Sequence, residues 1–181
     1  MFNLKKYVVY DLDADRFKPF DKTFGPVTIE RITPENVFDV IHSFPEGKVP
    51  VFKEKLQRGH VGVFARNKEK VVGYMWSRLY DSPKTVKADG YVPLIGRFSH
   101  IHFAHVVKEM RGRGLQLLMA TWLIRDSLSK EAEKIYTDIE VENEIAMRGM
   151  RKIGFAEKFR FVALRPKYGP CLCFKYSSKA S

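Results

Sequence analysis

The sequence Arg111-Gly112-Arg113-Gly114-Leu115-Gln116 joins an apolar, β-rich run at 97–107 to a helical pattern at 115–128. Glycines at such a junction allow a tight turn in which successive backbone N–H groups point outward at one spot. The first turn of the helix adds four amide donors without intrahelical partners and the positive end of the helix dipole. With two arginines beside it, the segment predicts a binding turn for an anion such as a pyrophosphate. A glycine-capped loop with two solvated arginines is the alternative interpretation.

The residues around this turn resemble the acetyl-CoA loop of the GNAT acetyltransferase superfamily. That loop reads Arg/Gln-x-x-Gly-x-Gly/Ala after a strand with a Val-x-Pro-like end, and Val106, Arg111 and Gly114 match it. Gln116 stands where the family usually has its last Gly or Ala, and Lys108 replaces the common Pro.

A second segment matches the same family further along the chain. Asn143-x-x-Ala146, followed by Lys152-Ile153-Gly154-Phe155, resembles the signature Asn-x-x-Ala…Lys-x-Gly-Phe at the expected distance downstream. The two blocks cover residues 106–155, and their order and spacing together make a fairly specific signal.

The periodicity and the turn residues predict the elements of the fold. Strands are expected at 7–11, 27–32, 60–65, 71–79, 97–107, 134–141, 158–164 and 171–176. Helices are expected after 33–36 (with Val37, Val40 and Ile41 on one face), at 51–57, at 115–128 and at 144–152. A long polar loop is expected at 82–96, where Lys84, Lys87 and Arg97 would frame an acidic acceptor.

This order of elements is similar to that of the GNAT family. The resemblance implies an α/β (α+β) fold in a single domain over residues 1–181. Its sheet would be mixed and mostly antiparallel, with one central, splayed pair of parallel strands and helices flanking it. In the family, the pantetheine arm of the cofactor lies in the gap between those two strands.

The resemblance also implies acetyl-CoA, or another acyl-CoA, as the cofactor. The expected cofactor-binding residues are Val106, Val107, Arg111, Gly112, Arg113, Gly114, Leu115, Gln116 and Asn143. A backbone N–H at or beside Val106 would polarise the thioester carbonyl, as an oxyanion-hole donor does. Asn143 is in addition a good helix N-cap, and the two roles are compatible.

Three histidines in the run at 97–107 are candidates for the base that takes the proton of an attacking amine. Strand alternation puts His100 and His102 on the face of Ala104 and Val106, with His105 opposite. Imidazole titrates near neutrality, so His100 and His102 are the predicted catalytic residues, directly or through water. The alternative is that both are packed, hydrogen-bonded strand residues.

The general acid of the family has no counterpart in this sequence. The resemblance places a Tyr seven residues after the helix-opening Asn, and that position holds Met150. Tyr136, Tyr168 or Cys171 are possible substitutes. A thiol with a pKa of about 8.5 also leaves as thiolate without much help, so the missing Tyr does not exclude catalysis.

Composition limits the class of protein. A formal charge of +11 favours a polyanionic partner, and the basic residues are spread along the chain rather than massed in one tail. No apolar run approaches the roughly 20 residues that span a bilayer, so no membrane partner is expected. Cys171 and Cys173 are too close for an ordinary disulfide, which favours free thiols in the cytoplasm. A metal site is not expected, because no third ligand accompanies His100 and His102.

The sequence therefore predicts an acyl-CoA-dependent N-acyltransferase, most simply an N-acetyltransferase, in which an amine acceptor attacks directly in a ternary complex. Two alternatives stay open. One is a GNAT fold that has lost catalysis and binds CoA or nucleic acid. The other is an acyltransferase that takes its acyl group from an acidic carrier protein. A monomer and a homodimer are both compatible with the sequence.

Overall fold

A computed structural model describes residues 2–22, 25–88, 92–166 and 172–176. Within them the strands are β1 (Phe2–Leu12), β2 (Val27–Arg31), β3 (Val61–Asn67), β4 (Lys70–Ala88), β5 (Val92–Val106), β6 (Lys134–Glu140), β7 (Ala156–Pro166) and β8 (Leu172–Tyr176). The α-helices are α1 (Lys48–Gln57), α2 (Leu115–Ser129) and α3 (Glu144–Lys152). Short 3-10 helices cover Ala14–Arg16, Val37–His42 and Lys108–Met110.

The strands follow the hydrogen-bonding order β2-β3-β4-β5-β6-β1-β7-β8. Strands β5 and β6 form the parallel pair of an otherwise mostly antiparallel sheet. The predicted α/β (α+β) class with helices and a mixed sheet is therefore confirmed.

The chain divides into two compact units. The first comprises Met1–Lys18, Tyr80–His100 and Glu131–Ser181, and the second comprises Pro19–Leu79 and Ile101–Lys130. Because the division falls within β4 and within β5, each of these strands contributes residues to both units.

In the first unit, β1 is an interior strand that pairs antiparallel with both β6 and β7. Its apolar residues Val8, Val9 and Tyr10 are fully buried, as the two-sided burial of an interior strand requires. One cluster of this unit's core consists of Tyr7, Val9, Leu94, Phe98, Tyr136, Phe161 and Ala163.

In the second unit, α1 and the 3-10 helix Val37–His42 pack on β3 and β4. The cluster there consists of Ile32, Val37, Val40, Phe44, Phe52, Phe64, Val71, Tyr74 and Trp76. Gly62 is required beside Trp76, because a Cβ at this position would come within 2.8 Å of the indole ring. Helix α2 buries the predicted Leu117, Thr121 and Ile124, whereas Leu118, Trp122 and Leu128 are half-buried.

The polar loop predicted at 82–96 is wrong. Strand β4 continues to Ala88 and β5 begins at Val92. Tyr80 stacks on Phe98 with ring centroids 5.0 Å apart, and Val86 packs against the cluster of the first unit. These tertiary contacts outweigh the turn propensity of Ser82 and Pro83, so this segment is strand rather than a loop framing an acceptor.

Of the three basic residues that were predicted to frame an acceptor, two have side chains in the described part of the structure. Lys84 is exposed, and Arg97 Nη1 donates to Asp81 Oδ2 at 2.9 Å, which offsets the arginine's charge. The side chain of Lys87, like Gly90, lies outside the described part of the structure.

The helix expected after 33–36 is a 3-10 helix rather than an α-helix. Val37 and Val40 are buried as predicted, but Ile41 is 42% exposed because three residues per turn carry it off that face. Helices α2 and α3 begin at the predicted residues, Leu115 and Glu144.

Candidate functional site

The predicted anion-binding turn belongs to the second unit. Strand β5 ends at Val106, the 3-10 helix Lys108–Met110 follows, and α2 begins at Leu115. Gly112 and Gly114 have φ of 77° and 73°, a left-handed conformation that glycine adopts without strain. The two glycines thus make the tight turn that leads from the strand into the helix.

The amides at the start of α2 face no capping side chain. Gly114 is the N-cap, and within the helix Leu117 N–H donates to Gly114 O at 2.9 Å. A Cβ built on Gly112 would meet nothing within 4 Å, and Arg111 and Arg113 are exposed. The turn therefore offers backbone donors, open space and positive charge at one place, which is what a phosphate group requires.

Two backbone groups at the end of β5, Val107 N–H and Val106 O, already form hydrogen bonds. Val107 N–H donates to Val72 O at 2.9 Å, and Arg111 Nε–H donates to Val106 O at 3.0 Å. The first bond removes the Val107 amide as an oxyanion donor, which leaves the predicted donor to Val106 or the residues before it. The second bond holds the Arg111 guanidinium at the strand end.

His100 lies in the first unit and is fully buried. Its Nε2 is 2.6 Å from Asp138 Oδ1, and the Asp138 side chain is 7% exposed. A carboxylate in this position orients the imidazole and stabilises its protonated form. Asp138 was missed in the sequence; the available signal was a carboxylate at an inward position of the apolar strand β6.

His102 lies in the second unit and is half-buried. Its Nε2 is 3.0 Å from Lys55 Nζ and 3.2 Å from His60 Nδ1. The two imidazole rings meet edge to face, with centroids 5.1 Å apart. Neither Lys55 nor His60 was predicted as a partner, because both come from the region around the end of α1, far away in sequence.

The predicted alternation along β5 is wrong around Phe103. This residue has φ of 51°, which breaks the strand's two-residue repeat. Lys55 Nζ reaches both His102 and the Phe103 ring, and Tyr74 contacts the rings of both Phe103 and His105. His102 therefore shares a face with His105 instead of lying opposite to it.

His105 is exposed and packs against two aromatic rings, those of Phe44 and Tyr74. Desolvation lowers the pKa of His105, and the positive charges of Arg111 and Lys48 lower it further. The charged form of the imidazole is thus disfavoured, first by burial and then by the two neighbouring positive charges.

Asn143 and Met150 lie in the first unit, at the two ends of α3. Asn143 Oδ1 accepts the Ala146 N–H at 3.1 Å, so the side chain is an N-cap. Met150 is 2% exposed and belongs to the core. Of the possible substitute acids, Tyr136 is buried and its hydroxyl accepts from Lys158 Nζ at 2.9 Å, whereas Tyr168 and Cys171 lie outside the described residues.

The described residues contain no group of three or more His, Cys, Asp or Glu side chains that could hold a metal ion. Among the helices in these same ranges, none combines the length and the apolar character that crossing a bilayer requires.

Comparison with known proteins identifies the fold and the sequence family. The profile of the Acetyltransferase (GNAT) family matches residues 29–155. No curated protein matches the chain.

Solved structures with the same fold include acetyltransferases of this family. A GNAT-family acetyltransferase from Colwellia psychrerythraea is 14% identical, with a TM-score of 0.64 over 98% of this chain and 57% of its own. The aminoglycoside N-acetyltransferase AAC(6')-Iy in complex with CoA is 15% identical, with a TM-score of 0.57 over 72% of this chain and 92% of its own. A protein of unknown function from Staphylococcus epidermidis is 14% identical, with a TM-score of 0.59 over 91% of this chain and 62% of its own.

At these identities the likeness concerns the fold alone. The chain spans 62%, 57% and 51% of the length of the first three structures that it matches, which include the Staphylococcus and Colwellia proteins.

Proposed function

Because the chain belongs to the Acetyltransferase (GNAT) family, we propose that it transfers the acetyl group of acetyl-CoA to the amine of an acceptor, by direct attack in a ternary complex. The observation that carries the proposal is the turn Arg111–Gln116, with its uncapped amides, the open space at Gly112 and its two exposed arginines. We propose that the protein acts in the cytoplasm, where cysteine thiols stay reduced.

The residues of the turn suit the pyrophosphate of CoA. Backbone N–H groups from Gly112 to Gln116 would bind the phosphate oxygens, and Arg111 and Arg113 would neutralise their charge. Space for the phosphate exists because Gly112 has no side chain and a Cβ there would meet no other atom. The bound acetyl-CoA supplies the acyl group in an activated form, as a thioester.

Two imidazoles are available to hold the proton that the acceptor amine loses. The ring of His100 is oriented by Asp138, and this carboxylate would balance the positive charge that the imidazole gains with the proton. The half-buried ring of His102, whose Nε2 lies 3.0 Å from Lys55 Nζ, would accept the proton in its neutral form. We propose that one of these two rings is the general base.

An acid for the leaving thiol is not part of the proposal. Met150 carries no proton to donate, and a thiol leaves as thiolate near neutral pH without one. Asn143 keeps its role as a cap and is proposed to bind the cofactor arm as well.

The test is release of free thiol from acetyl-CoA across a panel of amines. We expect at least one amine to give turnover. Once an acceptor is found, the double variant His100→Ala, His102→Ala should lower kcat by about 10²–10⁴, which is typical of removing a general base. The single variants and Asp138→Asn then identify which ring carries the proton. An unchanged rate and pH profile in the double variant would make both rings structural.

Met150 favours one second candidate, a catalytically inactive protein that binds CoA. Its side chain is buried where the family has a proton donor. The Met150→Tyr variant separates the two functions. Acetyl transfer that occurs in Met150→Tyr but not in the wild type would establish the binding function and overturn the proposed enzyme.

A further inference from the structure

A lysine amine of the second unit lies at hydrogen-bond distance from one of the two imidazoles proposed as the general base. Lys55 Nζ is 3.0 Å from His102 Nε2, and both side chains are half-buried. A base at His102 has to meet the amine that attacks the thioester. Lys55 already presents an amine at that place.

The contact gives Lys55 a route to its neutral, nucleophilic form. Two nitrogens at 3.0 Å share one proton, which either of them can hold. With the proton on the imidazole, Lys55 carries the lone pair. With the proton on the ammonium, His102 Nε2 is the acceptor to which it passes. Both assignments of the ring therefore lead to the same reactive amine.

The Lys55 amine also lies beside a solvent-accessible part of β5. Its Nζ is 4.8 Å from the centroid of the Phe103 ring, and this residue is 38% exposed. The thioester carbonyl would be held by Val106 or a residue before it, because Val107 N–H is already bonded to Val72 O. A lysine has a flexible four-carbon stem, so its Nζ can move along this strand toward the carbonyl.

Two other lysines of α1 separate the effect of the imidazole from that of position. Lys48 Nζ is 4.9 Å from the centroid of the same Phe103 ring, and Lys53 Nζ is 4.2 Å from that of Phe38. Among the described residues, neither ammonium group has a hydrogen bond to a histidine. If an imidazole partner makes a lysine reactive, Lys55 is the one of these three that is activated.

We propose that Lys55 is an acetyl acceptor within the chain, so that the protein acetylates its own helix α1. The Lys55 amine attacks the carbonyl carbon of acetyl-CoA, a C–N bond forms, and the C–S bond breaks with its electron pair leaving on sulfur. The proton of the amine passes to His102 and from there to solvent. The products are CoA and a Lys55 side chain that carries an amide in place of its ammonium group.

This self-acetylation rests on the proposed function for its acetyl donor and for the role of His102. Its consequence is local: a neutral amide replaces a positive charge beside His102 and the Phe103 ring.

The test is incubation of the purified protein with acetyl-CoA and no added amine, followed by mass spectrometry of its peptides. We expect Lys55 to be acetylated about 10²-fold faster than Lys48 and Lys53 or more, the contribution typical of a positioned base. This comparison is made within the wild-type protein, so it does not depend on the folding of a variant.

Variants then assign the reaction to the pair of side chains. His102→Ala should slow acetylation of Lys55 by about 10²-fold or more. Lys55→Arg should remove the fast phase of thiol release that occurs without an added amine. Lys53→Arg, on the same helix, is the matched control and should leave that phase unchanged.

Three results would overturn the self-acetylation. One is acetylation of Lys55 at the same rate as Lys48 and Lys53 in the native protein. Another is an unchanged rate at Lys55 in His102→Ala. The third is a rate that rises with protein concentration, which would assign the reaction to a second molecule.

A small thioester without phosphates separates this inference from the proposed function. S-acetyl-N-acetylcysteamine carries the acetyl thioester but has no pyrophosphate for the turn Arg111–Gln116. Selective reaction of Lys55 with this compound alone, without a thermal shift by acetyl-CoA, would retain the activated lysine and contradict the cofactor site. A thermal shift by acetyl-CoA without selective reaction of Lys55 with either thioester would retain the cofactor site and overturn the self-acetylation.

Discussion

Gly154 is the residue of the second motif whose identity the backbone dictates. Its φ is 105°, and a Cβ built on it would lie 2.0 Å from the carbonyl oxygen of Arg16. The neighbouring Lys18 N–H donates to Ile153 O, so the segment after β1 is tied to the end of α3. The glycine in this motif thus serves the packing of the first unit.

We expect Gly154→Ala to lower the free energy of unfolding by about 3 kcal/mol or more, because left-handed strain adds to a backbone clash. Gly112→Ala is the matched control: φ is 77°, but the new Cβ meets no atom within 4 Å. Strain alone should then cost about 1–2 kcal/mol. Urea unfolding of both variants measures the difference, and equal losses would refute the clash.

His105 gives the protein a predictable acid response. The pKa of His105 is lowered in the folded state from 6.5, the ordinary pKa of histidine. As the pH falls toward and below 6.5, the unfolded chain therefore binds more protons at this residue than the folded chain does. The contribution of His105 to stability is therefore full above that pH and is lost as the pH falls through the folded-state pKa. Thermal unfolding from pH 7.5 to 5 should show a steeper loss in wild type than in His105→Gln. Parallel profiles would contradict the assignment.

At the scale of elements, α3 tests whether one residue serves two roles. Asn and Asp are equivalent N-caps, so Asn143→Asp should change stability by less than about 0.5 kcal/mol, whereas Asn143→Ala should cost about 1 kcal/mol. Only the amide has N–H donors to offer a cofactor. Weaker acetyl-CoA binding in Asn143→Asp at unchanged stability is the expected result, measured by calorimetric titration. Unchanged affinity would leave Asn143 as a cap alone.

The elements also show what the sequence could predict. Helices α2 and α3 were located because glycine, asparagine and the apolar period act locally. The extension of β4 to Ala88 and the start of β5 at Val92 were missed because Tyr80 and Val86 are held by tertiary contacts rather than by local sequence. The break of alternation at Phe103 was missed because a positive φ in a non-glycine residue has no local sequence signal.

The candidate site likewise has one part that could be predicted from the sequence and another that could not. The turn Arg111–Gln116 was predicted from residues adjacent in the chain. Asp138 beside His100, and Lys55 and His60 beside His102, are 38 to 47 positions away from their partners. Such contacts depend on the pairing of strands and the packing of α1, which cannot be inferred from a single sequence.

At the scale of the whole molecule, the two units share strands β4 and β5. We propose that they unfold together, as the single domain predicted from the sequence. Calorimetry should show one transition whose van't Hoff and calorimetric enthalpies agree. Two resolved transitions would contradict a single cooperative domain.

A formal charge of +11 by itself favours a salt-dependent affinity for polyanions, so retention on nucleic acid is a weak test of function. Specific recognition of acetyl-CoA by the turn is a stronger one. A ligand at about 100 times its Kd adds about 2.7 kcal/mol to stability, which corresponds to a rise of about 5–10 °C in Tm for a chain of this size.

The most direct measurement is this thermal shift with acetyl-CoA in a matched pair of variants. Gly112 and Gly59 have φ of 77° and 74°, and a Cβ on either meets nothing within 4 Å, so valine strains the backbone similarly at both. We predict that wild type and Gly59→Val are stabilised by acetyl-CoA and that Gly112→Val is not, because its side chain fills the turn. No shift in wild type at about millimolar acetyl-CoA, or equal shifts in the two variants, would contradict cofactor binding at Arg111–Gln116.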